Sequence, residues 1–174
     1  MDRWIALFSQ TGSEIVALSK ELGRWPDHIF TNNNKLDTIN PELTGKYKVM
    51  SHRGIEETLN IMAELTGSSL VTLHGYLRIL SKDVCETGMM IYNGHPGLIT
   101  VYPELKGKDP QERVIGNNYD IIGSVVHRVT EGVDEGGVVS SAHVKNIAKD
   151  TDEVYNMLRE TSKQAWLEFL KDKV

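Results

Sequence analysis

The chain has 174 residues, 40% of them hydrophobic and 25% charged, a size and composition that fit one domain, residues 1–174, with a substantial core. A formal net charge of -5 excludes the clustered basic surface of a nucleic-acid binder, while a site for a small anion needs only local positive charge. The single cysteine, Cys85, excludes an intramolecular disulfide and a cysteine-based zinc site; no apolar run approaches the ~20 residues that span a bilayer, so a cytoplasmic protein without a membrane partner, monomer or homodimer, is expected.

"WIALF" (Trp4 to Phe8) is a short apolar run of the kind a buried strand shows. "SQTGSE" follows and leads into a helix, with Ile15, Leu18 and Leu22 at helical spacing and Gly23 as the stop. "HIFTNNN" (His28 to Asn34) predicts a second strand running into a polar loop, and "KYKVMS" (Lys46 to Ser51) a short third. In "RGIEETLNIMAELTG" a stripe of Ile55, Leu59, Met62 and Ala63 predicts a helix ended by Gly67. "SSLVTLHG" (Ser68 to Gly75) reads as a central strand and "SKDVCETG" as a short helix that places Cys85 on its apolar side, a structural thiol rather than a nucleophile. "MMIYN" (Met89 to Asn93) is the next strand. A long loop follows, then "GSVVHRVT" (Gly123 to Thr130) and "GVVSSAHV" (Gly137 to Val144) as two strands with "EGVDEG" between them. The last 24 residues predict one long helix in which Val154, Leu158, Ala165 and Phe169 share a face, with Met157 and Leu170 on its edge.

Strands and helices alternate, then two hairpin-like strands precede the last helix. This predicts an α/β, Rossmann-like fold: a mostly parallel twisted sheet with helices on both faces and an antiparallel part near the C-terminus. Ligands of such sheets sit at the carboxyl ends of the strands, near a topological switch point. "SQTGSE", "HGYLR" and "NGHPG" each follow an apolar strand directly and are expected to meet at one edge of the sheet.

Asn93 and His95 are two apart, so in an extended segment their side chains point to the same side. An amide that cannot titrate suits stabilisation of a developing oxyanion, and an imidazole near its titration point can move a proton. Turn formation alone would also account for Asn, Gly and Pro in this stretch. Asp134, among glycines between two expected strands, is able to orient an imidazole and stabilise its charged form, or else belongs to an ordinary hairpin loop. His28, His52, His74 and His143 show no metal-binding spacing, and no catalytic metal is expected.

Taken in order, "LHGYLRILS", "NGHPGLI" and "GSVVHRVTEGVDEGG" resemble the motifs of the folate-dependent formyltransferases, over roughly Leu70 to Val144, and "ALFSQTGSEI" resembles that family's first strand and phosphate loop. Members acting on glycinamide ribonucleotide are the nearest in pattern. The resemblance implies formyl transfer from 10-formyltetrahydrofolate, a co-substrate, to a small primary amine, by default glycinamide ribonucleotide. Asn93 would donate to the oxyanion, His95 would stabilise its charge and shuttle protons, and Asp134 would hold His95 and an ordered water. Folate would lie along Arg78, Ile79 and Leu80, with Val129, Thr130, Glu131 and Val133 closing the other side. The acceptor would meet Thr11, Gly12, Ser13 and Glu14, with Glu160 near the family's acidic position on the last helix. His127 matches a family histidine and is read as a supporting residue.

The pattern departs from the family in four places. Glu14 stands where the family has Asn, placing a like charge beside a phosphate that the helix N-terminus would otherwise attract. Alternatively, Thr11 to Glu14 forms a capping box that satisfies the helix start itself. Gly97 stands where the family has Ser. In "KDPQERVIGNNYD" a family histidine is missing, for which Lys106, Lys108 or Arg113 could substitute, unless these are solvated surface residues. The acid of the last helix has no clear match. Another amino nucleotide, an amino sugar, or water as the acceptor therefore stays open, as does a non-catalytic folate-binding relative; the chain has neither a Walker loop nor a G-x-G-x-x-G.

Overall fold

The structure, a computed structural model, describes residues 3–107, 109–130 and 136–174. An inner strand, β1 (Arg3–Phe8), is buried on both faces from Trp4 to Phe8, as a parallel strand covered by helices on both sides must be. Around it lie β2 (His28–Thr31), β3 (Lys48–Val49), β4 (Ser69–His74), β5 (Met90–His95), β6 (Ile121–Arg128) and β7 (Val138–Lys145). The sheet order is β3-β2-β1-β4-β5-β6-β7. The first five strands in that order run parallel, β6 is antiparallel to β5, and β7 is antiparallel to β6 and so runs with the first five. Chain direction across the sheet reverses between β1 and β4, so the switch point lies there.

The helices are α1 (Ser13–Leu22), α2 (His52–Thr66), α3 (Lys82–Cys85), α4 (Pro110–Asn117) and α5 (Thr151–Leu170). Ile5, Leu7, Val71, Leu73 and Ile91 meet α2 and α3 through Ile55, Leu59 and Val84. The alternate residues Trp4, Leu70 and Tyr92 meet α5 through Ala165, Trp166 and Phe169. This strict alternation sorts the two layers by the period-2 geometry of a strand. The expected face of α5 is the buried one: Val154, Leu158, Thr161, Ala165, Trp166, Phe169 and Leu170. Asp150 starts that helix by accepting from the Glu153 N–H at 2.9 Å.

β2 ends at Thr31 and runs into the expected polar loop, where Asn33 bonds the Gln10 carbonyl and Thr38. Other boundaries differ from the sequence expectation. β5 begins at Met90 and runs on through His95, since Asn93, Gly94 and His95 each find a register partner on β6. The expected long loop after β5 contains a 3-10 turn, Pro103–Leu105, and the whole of α4. In α2 only Ile55 and Leu59 are fully buried, with Met62 and Ala63 packed at the margin.

Gly94 is required by close approach. A Cβ there would stand 2.6 Å from Trp166 Nε1, and the Trp166 ring is wholly buried, so it cannot swing aside. Gly94→Ala is expected to destabilise the protein by about 1–3 kcal/mol, the usual cost of overpacking, read as a lowered urea midpoint with an unchanged m-value.

Candidate active site

The carboxyl ends of β1, β4 and β5 bring the three candidate segments to one edge of the sheet. Asn93 and His95 lie on the same face of β5, as their spacing predicts. Asn93 faces His127 across the β5–β6 ladder, with Nδ2 3.4 Å from His127 Nε2. His127 is buried, and its Nδ1–H donates to the Arg128 carbonyl at 3.1 Å. Nε2 is thereby left with the lone pair that accepts from the Asn93 amide. His127 thus orients Asn93. The His95 ring is buried at 4% exposure, and its Nε2–H donates to the Leu105 carbonyl at 2.7 Å. Asp134, Glu131, Val133 and Lys108 lie outside the described residues.

The segment carrying Arg78, Ile79 and Leu80 leaves β4 and is pinned at both ends. The Leu77 N–H donates to Ser9 Oγ at 2.9 Å. The Tyr76 hydroxyl lies 2.6 Å from His52 Nδ1, and His52 Nε2 lies 3.1 Å from Glu56. Glu56 in turn accepts from the Ser81 N–H at 2.7 Å. The donors line up as Tyr76 O–H to His52 and His52 N–H to Glu56. Burial and the neighbouring Glu56 charge push the Tyr76 phenol up to about 12, so it keeps its proton. Burial raises the Glu56 carboxyl, but the Ser81 hydrogen bonds and the His52 and Arg78 charges outweigh it and hold the group below the ordinary carboxylate value. Between the anchors Leu77 and Ile79 are 69% and 65% exposed, while Leu80 is buried. Val129 continues the pairing by donating to the Ile91 carbonyl at 2.9 Å. Val129 and Thr130 line a depression of about 320 Å³ with Lys82, Cys85, Glu86 and Arg128.

At the start of α1 the capping-box expectation fails. The N-cap is Gly12, at φ 72°, and no side chain caps the helix. Thr11 Oγ1 instead accepts from the Ser13 N–H at 3.2 Å, and the Asn40 amide donates to Ser13 Oγ at 3.2 Å. Glu14 turns inward: one carboxylate oxygen lies 2.7 Å from His74 Nδ1 and the other 2.6 Å from Ser162 Oγ on α5. His74 Nε2 is 2.7 Å from Thr72 Oγ1, which also accepts from Trp4 Nε1 at 2.9 Å. The chain of donors runs from Trp4 through Thr72 and His74 to Glu14. Glu14 thus meets strand and last helix rather than the helix start. A second depression, of about 570 Å³, opens beside Thr11 and is lined by amides and hydroxyls from Ser9 to Thr11 and Asn32 to Asn34, with Lys35, Thr38 and Leu77.

Glu160 is exposed on α5 and pairs with Lys163 at 3.5 Å; Ser162, two residues on, reaches the site through Glu14. Arg113 is neither a solvated cation nor aimed at the α1 end. Its guanidinium donates to the Glu104, Leu105 and Lys106 carbonyls. His52, Glu56, His74 and Ser162 carry structural weight that the sequence reading missed. The spacing of four between Glu56 on the predicted helix and His52 just ahead of it was the available signal; His74 to Glu14 spans 60 residues and had none. Among the described residues no three His, Cys, Asp or Glu side chains are placed to hold a metal ion, and no helix is long and apolar enough to cross a membrane.

Comparison with known proteins adds the following. A family model described as formyl transferase matches residues 5–170. The cattle (Bos taurus) trifunctional purine biosynthetic protein adenosine-3 is 29% identical over 166 residues, covering 87% of this chain; the chain spans only 16% of that protein's length. The crystal structure of phosphoribosylglycinamide formyltransferase from Streptococcus pneumoniae superposes with a TM-score of 0.81 at 22% identity, covering 99% of this chain and 98% of the other. A formyltetrahydrofolate deformylase from Pseudomonas syringae superposes with a TM-score of 0.75 at 18% identity, covering 98% of this chain and 61% of that one. At these identities the solved structures establish the shared fold.

Two outcomes follow from the polar networks. Glu14→Ala leaves the His74 N–H and the Ser162 hydroxyl without their acceptor and is expected to cost about 1–3 kcal/mol in urea unfolding, with Glu14→Gln costing less. Because the folded Glu56 value is lowered, its stabilisation is complete above the ordinary carboxylate value and is lost as pH falls through the lowered one. Urea midpoints measured across the acid range should therefore fall less steeply for Glu56→Gln than for the unsubstituted protein.

Proposed function

The chain belongs to the formyl transferase family, and on that premise we propose that it transfers a formyl group from 10-formyltetrahydrofolate to a small primary amine, with glycinamide ribonucleotide as the default acceptor. The observation that carries this reading is the end of β5. There an amide oriented by a buried histidine and an imidazole fixed by a main-chain carbonyl lie on one face at the carboxyl edge of the sheet.

The folate supplies the activated formyl carbon. The pinned segment at Arg78, Ile79 and Leu80, with its exposed apolar side chains, and the depression beside Val129 and Thr130 suit a flat ring held between them. Glu131 and Val133 would complete that side. When the amine attacks, the Asn93 N–H donates to the oxygen that gains charge. His95 has Nε2–H committed to Leu105, so proton uptake from the attacking nitrogen falls on Nδ1. A carboxylate such as Asp134 would stabilise the cation so formed, and the proton passes on to the departing folate nitrogen. Thr11, Gly12 and Ser13 would meet the acceptor. Glu14 lies behind them, engaged with His74 and Ser162, and Glu160 would bear on the acceptor only from its exposed place on α5.

A second reading is hydrolysis, with water in place of the amine and formate as product. It is favoured by the likeness in fold to the Pseudomonas deformylase. Loss of 10-formyltetrahydrofolate, followed with and without glycinamide ribonucleotide, separates the two. Amine-dependent loss that disappears in His95→Ala supports transfer; amine-independent loss with formate release supports hydrolysis; no loss under either condition rejects hydrolysis and rejects glycinamide ribonucleotide as the acceptor, and the same assay is then run with other amino nucleotides and amino sugars, whose failure rejects transfer. In the active reaction Asn93→Ala should lower kcat by roughly 10²–10³, the usual effect of removing an oxyanion donor, with folate affinity retained. Unchanged turnover would remove Asn93 from the mechanism.

A further inference from the structure

We infer that Arg113 is a positioning residue for His95, acting through the one main-chain oxygen that both side chains bind; this rests on the role proposed above for His95. Arg113 projects from α4 onto the 3-10 turn Pro103–Leu105. Nη1 donates to the Glu104 carbonyl at 2.7 Å, and Nη2 donates to the Leu105 and Lys106 carbonyls at 3.1 and 3.0 Å. Three consecutive carbonyls at the end of a turn are acceptors that the turn itself leaves largely unsatisfied. A planar guanidinium with five fixed donors suits them as a lysine head cannot.

The middle carbonyl has two lone pairs. One takes Arg113 Nη2 and the other takes His95 Nε2–H at 2.7 Å. The imidazole is therefore oriented by an oxygen whose own direction Arg113 sets. The Leu105 side chain is anchored in the core beside Val114, while within the turn the peptide plane that carries its oxygen is held by one long bond, from the Lys106 N–H to the Pro103 carbonyl. The turn's own bonds are the Leu105 N–H to Tyr102 at 3.0 Å and the Lys106 N–H to Pro103 at 3.3 Å, and neither involves the Leu105 oxygen. Gly97 shows how closely the parts sit: a Cβ there would stand 3.2 Å from Leu105 Cβ and 3.4 Å from the His95 ring. A Cβ at position 97 would touch the ring at ordinary contact distance and ask the Leu105 side chain to give by a few tenths of an ångström, so the turn, the ring and Gly97 form one close-packed group.

The test is Arg113→Lys, which keeps the charge but cannot reach three carbonyls. Two properties are read. The first is the ring N–H proton of His95 by NMR without substrate, a downfield resonance assigned by its loss in His95→Gln. The second is kcat and KM for formyl transfer. The resonance is expected to broaden or vanish in Arg113→Lys, and kcat to fall about 10- to 100-fold, as for other small misplacements of a reacting group, with both KM values within twofold. Urea unfolding confirms that the variant is folded. A resonance that persists with kcat within twofold overturns the inference, as does a kcat loss matched by the loss of folded protein while the resonance persists. If the unsubstituted protein has no turnover, the proposed activity fails, while the resonance still decides whether Arg113 holds the ring.

Discussion

The arrangement of the site depends first on a carboxylate that faces inward. Glu14, on the opening turn of α1, takes His74 of β4 on one oxygen and Ser162 of α5 on the other. Behind His74 the chain of donors continues through Thr72 to the Trp4 indole on β1. Groups so deeply buried are tolerable only when every donor meets an acceptor, and here the donors converge on one carboxylate. The consequence is geometric. The loop from Gln10 to Ser13 cannot shift with the helix start without breaking the Glu14 bonds to β4 and the last helix, so the α1 end of the cleft keeps a constant distance from the carboxyl end of β4.

The second constraint is the change of sheet direction at β5. Its neighbour on one side is parallel β4, and on the other antiparallel β6. The antiparallel ladder sets His127 directly opposite Asn93, and a buried imidazole then orients an amide whose oxygen and nitrogen would otherwise be free to exchange places. Beyond that ladder the chain forms a 3-10 turn and α4, whose Arg113 returns to the turn under His95. Local chain economy thus surrounds two candidate reacting groups with three supporting ones, each from a different element. The α2 residues His52 and Glu56 do the same for the segment after β4, holding it by its ends and leaving Leu77 and Ile79 outward.

Much of this was legible in the sequence. The alternating apolar runs located all seven strands, and the glycine stops located the ends of α1 and α2, because burial and left-handed caps are local demands on residue type. The spacing of Asn93 and His95 placed them on one side of a strand for the same reason. The helix α4 was not legible: "PQERVIGN" has few apolar residues, and only Pro110 and Val114 among them are buried, so its periodicity is too weak to stand above a loop. The inward course of Glu14 was also hidden. Thr-Gly-Ser-Glu satisfies the local pattern of a capping box, and the partners that won the carboxylate, His74 and Ser162, lie 60 and 148 residues away.

The sequence by itself determined the class of fold, the order of its elements and the short segments that carry the candidate reacting groups, since each rests on periodicity or on a residue type within a few positions. Tertiary structure alone decided which side chains support them. Hydrogen-bond partners are chosen by proximity in the folded chain, and a buried polar group takes whichever donor or acceptor packing brings within reach. Glu14 went to His74 and Ser162 instead of its own helix, and Arg113 went to the turn beneath His95 instead of solvent. In both cases burial made an unpaired polar group costly, and the distant partner was the one that the packing supplied.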